Sequence, residues 1–188
     1  MHYLTFSCYQ RLPLFAIPAT RDAFVEAIVK ARQRHRFLLL AWVIMPEHVH
    51  LILVPTVEKG PTWPEGHGSP VRTILSGLKR PFAAAVLAGD LPIPAGMRER
   101  LTDADGVRHF WQPGGGYDRN VRDARELARE IRYVHKNPVR RGLADAVIDW
   151  RWSSAQWYGG QTEQRLSIDS VLFGGYRFPG KEPARLLQ

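Results

Sequence analysis

Four side chains in this sequence could do chemistry together. His48 and His50 lie one residue apart in the apolar run AWVIMPEHVHLILVP, Ala41 to Pro55. Alternate side chains of an extended strand share a face, so the two imidazoles stand side by side while Val49, Leu51 and Leu53 point the other way. Ile52 and Val54 continue the histidine face as apolar positions, which marks a central strand buried on both sides. Two neutral imidazoles so placed can chelate one divalent metal, although the same pair could also be held by hydrogen bonds at a strand end. Tyr133 and Asn137 lie four residues apart in ELAREIRYVHKNPVRRGL, one turn of a helix and one face of it. Ala124, Leu127, Ala128, Ile131 and Val134 form an apolar stripe on the other side, and His135 points back toward that stripe as a packed residue. A tyrosine and an amide therefore project together from a helix whose opposite face is covered.

The elements that must position these groups follow from periodicity and punctuation. HYLTFSCY alternates as a strand, and a helix is expected over about Ala19 to Arg34. FLLLAWVIM and HVHLILVP are two β-rich runs separated by Pro46 and Glu47, a tight hairpin in which proline occupies the connection. Residues 57–69 form a Gly/Pro-rich loop, and VRTILSGLKRPFAAAVLAG reads as a second helix disturbed near Pro81. After a Pro-, Gly- and charge-rich stretch from Asp90 to Gly106, VRHFWQ is expected as a short strand. A third helix should run from Asp123 to about Lys136 and end before Pro138. The remainder, WRWSSAQWYGG onward, reads as irregular and aromatic. The order β-α-β-β-α-β predicts an α+β, ferredoxin-like (RRM-like) sandwich with a central antiparallel sheet, to which the third helix is an addition.

Composition narrows the partners. The 188 residues carry 26 Lys and Arg against 18 Asp and Glu, a net charge of +8 with the histidines neutral. A small basic domain of this kind suits a polyanion, nucleic acid first, because phosphate neutralisation supplies affinity independent of sequence. Cys8 is the one cysteine, which excludes an intrachain disulfide framework and a cysteine-based zinc site. No secretory pattern is seen, and FLLLAWVIMP is too short to span a bilayer, so no membrane is expected and the location expected is cytoplasmic.

Taken in order and spacing, WVIMPEHVHLIL, WQPGGGYDR, IRYVHKNPVRRGL and WRWSSA resemble the REP-associated tyrosine transposases of the HUH single-tyrosine transposase superfamily. The resemblance runs from about His2 to Tyr158, which places one transposase domain at residues 1–158 and a tail at 159–188. It implies that His48 and His50 are the metal-binding pair, that Tyr133 is the nucleophile on an added catalytic helix, and that Asn137 supplies the third metal ligand. The metal implied is Mg²⁺ or Mn²⁺. The activity implied is a single-stranded DNA endonuclease and strand transferase that cleaves hairpin DNA through a phosphotyrosine, acting as a monomer or homodimer. Glu47 departs from relatives that often carry Asn or Asp there.

Six basic residues flank these groups and suit a DNA backbone: Lys79, Arg80, Arg119, Arg132, Arg140 and Arg141. Trp150, Trp152 and Trp157 could stack unpaired bases, but tryptophans so closely spaced more often pack a subdomain. Three other readings stay open on residues alone. They are a hairpin-binding protein that no longer cuts, a metal-dependent phosphoesterase in which the histidines activate water, and an RNA-binding sandwich presenting Phe6 and Trp42.

Overall fold

A computed structural model describes residues 1–56, 69–114, 116–161, 163, 166–179 and 186–187. Most of the Gly/Pro-rich loop, residues 57–68, lies outside the described residues. Four antiparallel strands make the main sheet in the order β2-β3-β1-β4: β1 (His2–Ser7), β2 (Phe37–Ile44), β3 (His48–Pro55) and β4 (Tyr117–Asn120). With α1 (Pro18–His35) and α2 (Pro70–Ala88) as crossovers, this is the expected ferredoxin-like arrangement. Among the described residues no helix is long and apolar enough to cross a membrane.

Strand alternation gives the sheet two different faces. Leu4 and Phe6 of β1, with Val49, Leu51 and Leu53 of β3, face α1 and α2, where Phe6, Phe15, Phe24, Phe82, Phe110 and Trp111 pack in one aromatic cluster. Tyr3, Thr5 and Ser7 share the other face with His48 and His50, and the register sets Thr5 directly opposite His50. That face is covered by α3 (Ala124–Arg140). Asp123 caps this helix, its side chain accepting from Glu126 N at 2.8 Å.

Three expectations are corrected. Val107–Gln112 is not a sheet strand: the segment forms isolated bridges only, Thr102 with Arg108 and Cys8 with Trp111, and the fourth strand is Tyr117–Asn120. An edge strand paired on one side can be polar throughout, so YDRN carries little apolar signal, whereas the aromatics of VRHFWQ serve the core. The third helix runs through Pro138 to Arg140, because proline so near the end removes one hydrogen bond and the chain leaves the helix soon after, at Gly142 with φ of 66°. Pro81 likewise lies inside an uninterrupted α2.

Among the described residues, the region from Trp150 onward is more ordered than its composition suggests. Ile44 N donates to Trp152 O and Ser154 N to Trp42 O, both at 2.9 Å, so the WRWSSA segment lies along the open edge of β2. The short α4 (Ala155–Tyr158) follows, then a hairpin of β5 (Val171–Phe173) and β6 (Tyr176–Phe178) turning at Gly174 and Gly175 with positive φ. Asp169 fastens this region to the body, accepting from Leu39 N at 2.8 Å and pairing with Arg32.

Candidate functional site

His48 and His50 meet end to end, with 3.0 Å between their Nε2 atoms. Glu47 accepts from His48 Nδ1 at 3.0 Å, which puts that ring's proton on Nδ1 and turns the Nε2 lone pair toward His50. His50 Nδ1 lies 2.7 Å from Thr5 Oγ1 and 2.9 Å from Tyr3 Oη, so both hydroxyls fix its ring from β1. Burial, with the neighbouring His48 adding to it, pushes the His50 pKa down to about 3, so His50 is held as the neutral imidazole that can ligate. Burial pushes the Tyr3 hydroxyl up to about 12 and keeps it a neutral hydrogen-bonding group. The Glu47 carboxyl is held below its ordinary range, first by the hydrogen bond to His48, and it also accepts from Arg141 at 2.7 Å.

From above, α3 adds two side chains. The Asn137 amide lies 3.0 Å from His50 Nε2, and rotating the amide by half a turn would present its oxygen there instead. The Tyr133 ring stands edge-on to His50 with centroids 5.7 Å apart and is 39% exposed, and the Arg140 guanidinium lies 5.4 Å from the Tyr133 ring centre. Together these groups line an open cleft of about 500 Å³.

The donor set fits a divalent ion. Adjacent ligands of an octahedral ion, each about 2.1 Å from it, stand about 3.0 Å apart, which is the spacing found between the two Nε2 atoms. Both Nδ1 atoms are engaged by outer partners that orient the rings. Among the described residues no three His, Cys, Asp or Glu side chains are grouped to hold a metal, so a third protein ligand would fall to the Asn137 oxygen.

The basic residues divide. Arg140 and Arg141 line the cleft. Arg119 is engaged in ion pairs with Glu126 and Glu130 and lies over the Tyr3 ring. Lys79 packs its ammonium against Phe6 and Trp111 on the far side of the sheet, where burial lowers its pKa. Arg80 borders a separate cleft with Arg72 and Asp118, and Arg132 is half-buried on α3 outside the histidine cleft. Trp150 and Trp152 are buried around the Arg21 guanidinium, and Phe6 and Trp42 are buried too, so none of these four offers a face for stacking bases.

Sequence reasoning missed Tyr3, Thr5 and Arg11 as lining residues and saw Glu47 only as a departure. Alternation along β1 puts Tyr3 and Thr5 on one face, but only the pairing register aims that face at His50.

No family model matches the chain. It is 27% identical over 129 residues to the REP-associated tyrosine transposase of Escherichia coli K12, a match covering 69% of this chain and 61% of that protein. A Haemophilus influenzae relative with the same family name is 24% identical over 133 residues, 71% of this chain and 67% of its own. Among solved structures, one of a REP-associated tyrosine transposase bound to a REP hairpin aligns over 90% of this chain and 85% of its own, with a TM-score of 0.55 and 21% identity. The matched region thus spans less than two thirds of the Escherichia coli relative, and the resemblance carried by the four motifs is borne out in both sequence and fold.

Proposed function

We propose that this relative of the REP-associated tyrosine transposases is a metal-dependent single-stranded DNA endonuclease and strand transferase, which binds hairpin DNA and cuts it through Tyr133. The observation that carries the reading is the meeting of the two Nε2 atoms beneath a helix presenting Asn137 and the exposed Tyr133. Hairpin DNA as the partner is supported by the REP hairpin bound to the structural relative and by the net charge of +8.

His48, His50 and Asn137 would hold Mg²⁺ or Mn²⁺, which when bound polarises the scissile phosphate. Tyr133 Oη would form the new bond to phosphorus and give its proton to water, while the O3′–phosphorus bond breaks and O3′ takes a proton from water, leaving a 3′-hydroxyl and a 5′-phosphotyrosine. The ester keeps the energy needed for rejoining, since attack by a 3′-hydroxyl on the phosphotyrosine reverses the step. Arg140, beside the tyrosine, faces the charge that gathers on the phosphate oxygens.

The test is incubation with end-labelled hairpin DNA and Mn²⁺, read on a denaturing gel. Wild type should give a covalent complex, and Tyr133→Phe should bind equally well and give none, because it removes only the attacking oxygen. An adduct that persists in Tyr133→Phe removes the nucleophile assignment. Hydrolysis without any adduct would favour a phosphoesterase, and binding without cleavage a protein that only holds hairpins.

A further inference from the structure

The chain leaving β1 makes a turn in which two consecutive residues, Gln10 and Arg11, have φ of 49° and 54°. Neither is glycine, and side chains in this left-handed region crowd the backbone, so the surroundings must enforce the conformation. Cys8 N donates to Glu47 O at 2.8 Å, and Tyr9 N to Phe110 O at 2.9 Å. Gln10 N donates to the side-chain oxygen of Gln112 at 2.9 Å, and Gln112 N returns to Ser7 O at 2.9 Å. The WQPGGG motif is thereby explained in part. Trp111 fills the aromatic core, and Gln112 is the clamp on the strained turn.

What the turn delivers is Arg11, an exposed guanidinium on the wall of the histidine cleft, which Arg140 also lines. Among the described residues no carboxylate pairs with it. Arg141, by contrast, is joined to Glu47, and Arg119 to Glu126 and Glu130. A cation without a carboxylate partner among the described residues, whose backbone is enforced at the wall of a cleft, is arranged for an anionic ligand.

We propose that Arg11 binds a phosphodiester of the DNA strand lying in this cleft, and that Gln112 is the positioning residue that holds Arg11 there. The proposal rests on the DNA-cleaving function above and gives the strand a second contact, from the β1 turn, beside those from α3. The planar fork of arginine suits two phosphate oxygens at once, so lysine should replace its charge but not its geometry.

The experiment measures binding of a fluorescein-labelled DNA hairpin with a single-stranded flank, over a range of salt, in full-length Tyr133→Phe protein so that cleavage does not intervene. Arg11→Ala should weaken binding about tenfold and reduce the slope of log affinity against log salt by about 0.7 to 0.9. Arg11→Lys should restore the slope and only part of the affinity. Gln112→Ala should weaken binding on its own but add little to Arg11→Ala, the non-additivity expected of a residue acting through another. Arg11→Gln, neutral and of similar bulk, serves the same purpose if alanine disturbs folding. Wild-type affinity and slope in a folded, neutral Arg11 variant would overturn the proposal while leaving the hairpin-binding reading in place. Failure of the Arg11-intact protein to bind the hairpin at all would overturn both.

Discussion

Replacing Glu47 by alanine should cost the site its hold on a divalent ion before it costs the protein its fold. One carboxylate oxygen serves two partners, His48 Nδ1 at 3.0 Å and Arg141 at 2.7 Å, and the residue is only 7% exposed. Without it, His48 Nδ1 loses its acceptor, and the ring is free to turn or to carry its proton on the nitrogen that faces His50. Outer partners of this kind are worth 10- to 100-fold in metal affinity, about 1.4 to 2.7 kcal/mol. The effect on folding is smaller. The Arg141 side chain is half-exposed, so its ion pair contributes no more than about 1 kcal/mol, a fall in Tm of roughly 2–4 °C for a chain of this size. The Glu47 carbonyl still accepts from Cys8 N in the variant. Glu47→Gln keeps an acceptor of the same reach and should lose less affinity than alanine. The assay is calorimetric titration of DNA-free protein with Mn²⁺ at pH 7, with thermal unfolding alongside. At that pH Glu47 is ionised, since its depressed pKa means its contribution is present above the ordinary carboxylate range and lost only as pH falls through the folded value. Folded Glu47→Ala protein with wild-type Mn²⁺ affinity would refute the reasoning.

Joint replacement of Arg140 and Arg141 by alanine should flatten the salt dependence of hairpin binding by about one unit rather than two, because Arg141 is already paired with Glu47; an unchanged slope returns both to the solvated surface. Arg119→Ala should leave hairpin affinity within about twofold and instead lower thermal stability, since Glu126 and Glu130 lose their shared cation; a large loss of DNA affinity in stable protein would contradict this. Burial depresses the pKa of both His50 and His135 to about 3, so below the ordinary value near 6.5 the unfolded chain binds more protons and stability falls as pH falls. By pH 5 the loss is about 2 kcal/mol for each, and denaturant unfolding of metal-free protein that shows no decline between pH 7 and 5 would rule it out.

The parts of this fold legible in the sequence are those whose signal is apolar and local. The histidine strand is buried on both faces and bears six apolar positions around two polar ones, so its hairpin with Phe37–Ile44 reads directly. The polar edge strand Tyr117–Asn120 has no such signal, and its pairing with β1 is visible only in three dimensions. The same limit governs the site. His48, His50, Tyr133 and Asn137 stand out because spacing along one strand and one helix is a property of the chain, and the structure brings the four together. Tyr3, Thr5, Glu47 and Arg11 contribute through register, a neighbouring carboxylate and a strained turn, none of which has a period.

How Tyr133 is held in place also explains the WRWSSA segment. The tyrosine is exposed, so its own side chain does little to anchor α3, and residues on the opposite face do more of it. His135, two residues on, is fully buried and shares a hydrogen bond of 2.8 Å with Ser154 Oγ, while Tyr158 packs on its ring and donates to Leu40 O at 2.8 Å. Ser154 in turn lies against β2, the strand that pairs with the histidine strand. One hydrogen-bonded path therefore runs from the sheet that carries His48 and His50, through the WRWSSA segment, to the helix that carries Tyr133 and Asn137. Burial lowers the His135 pKa, so the ring on this path is held as the neutral imidazole. The WRWSSA segment and Tyr158 thus tie the tyrosine's helix to the sheet that carries the histidines, although neither lines the cleft.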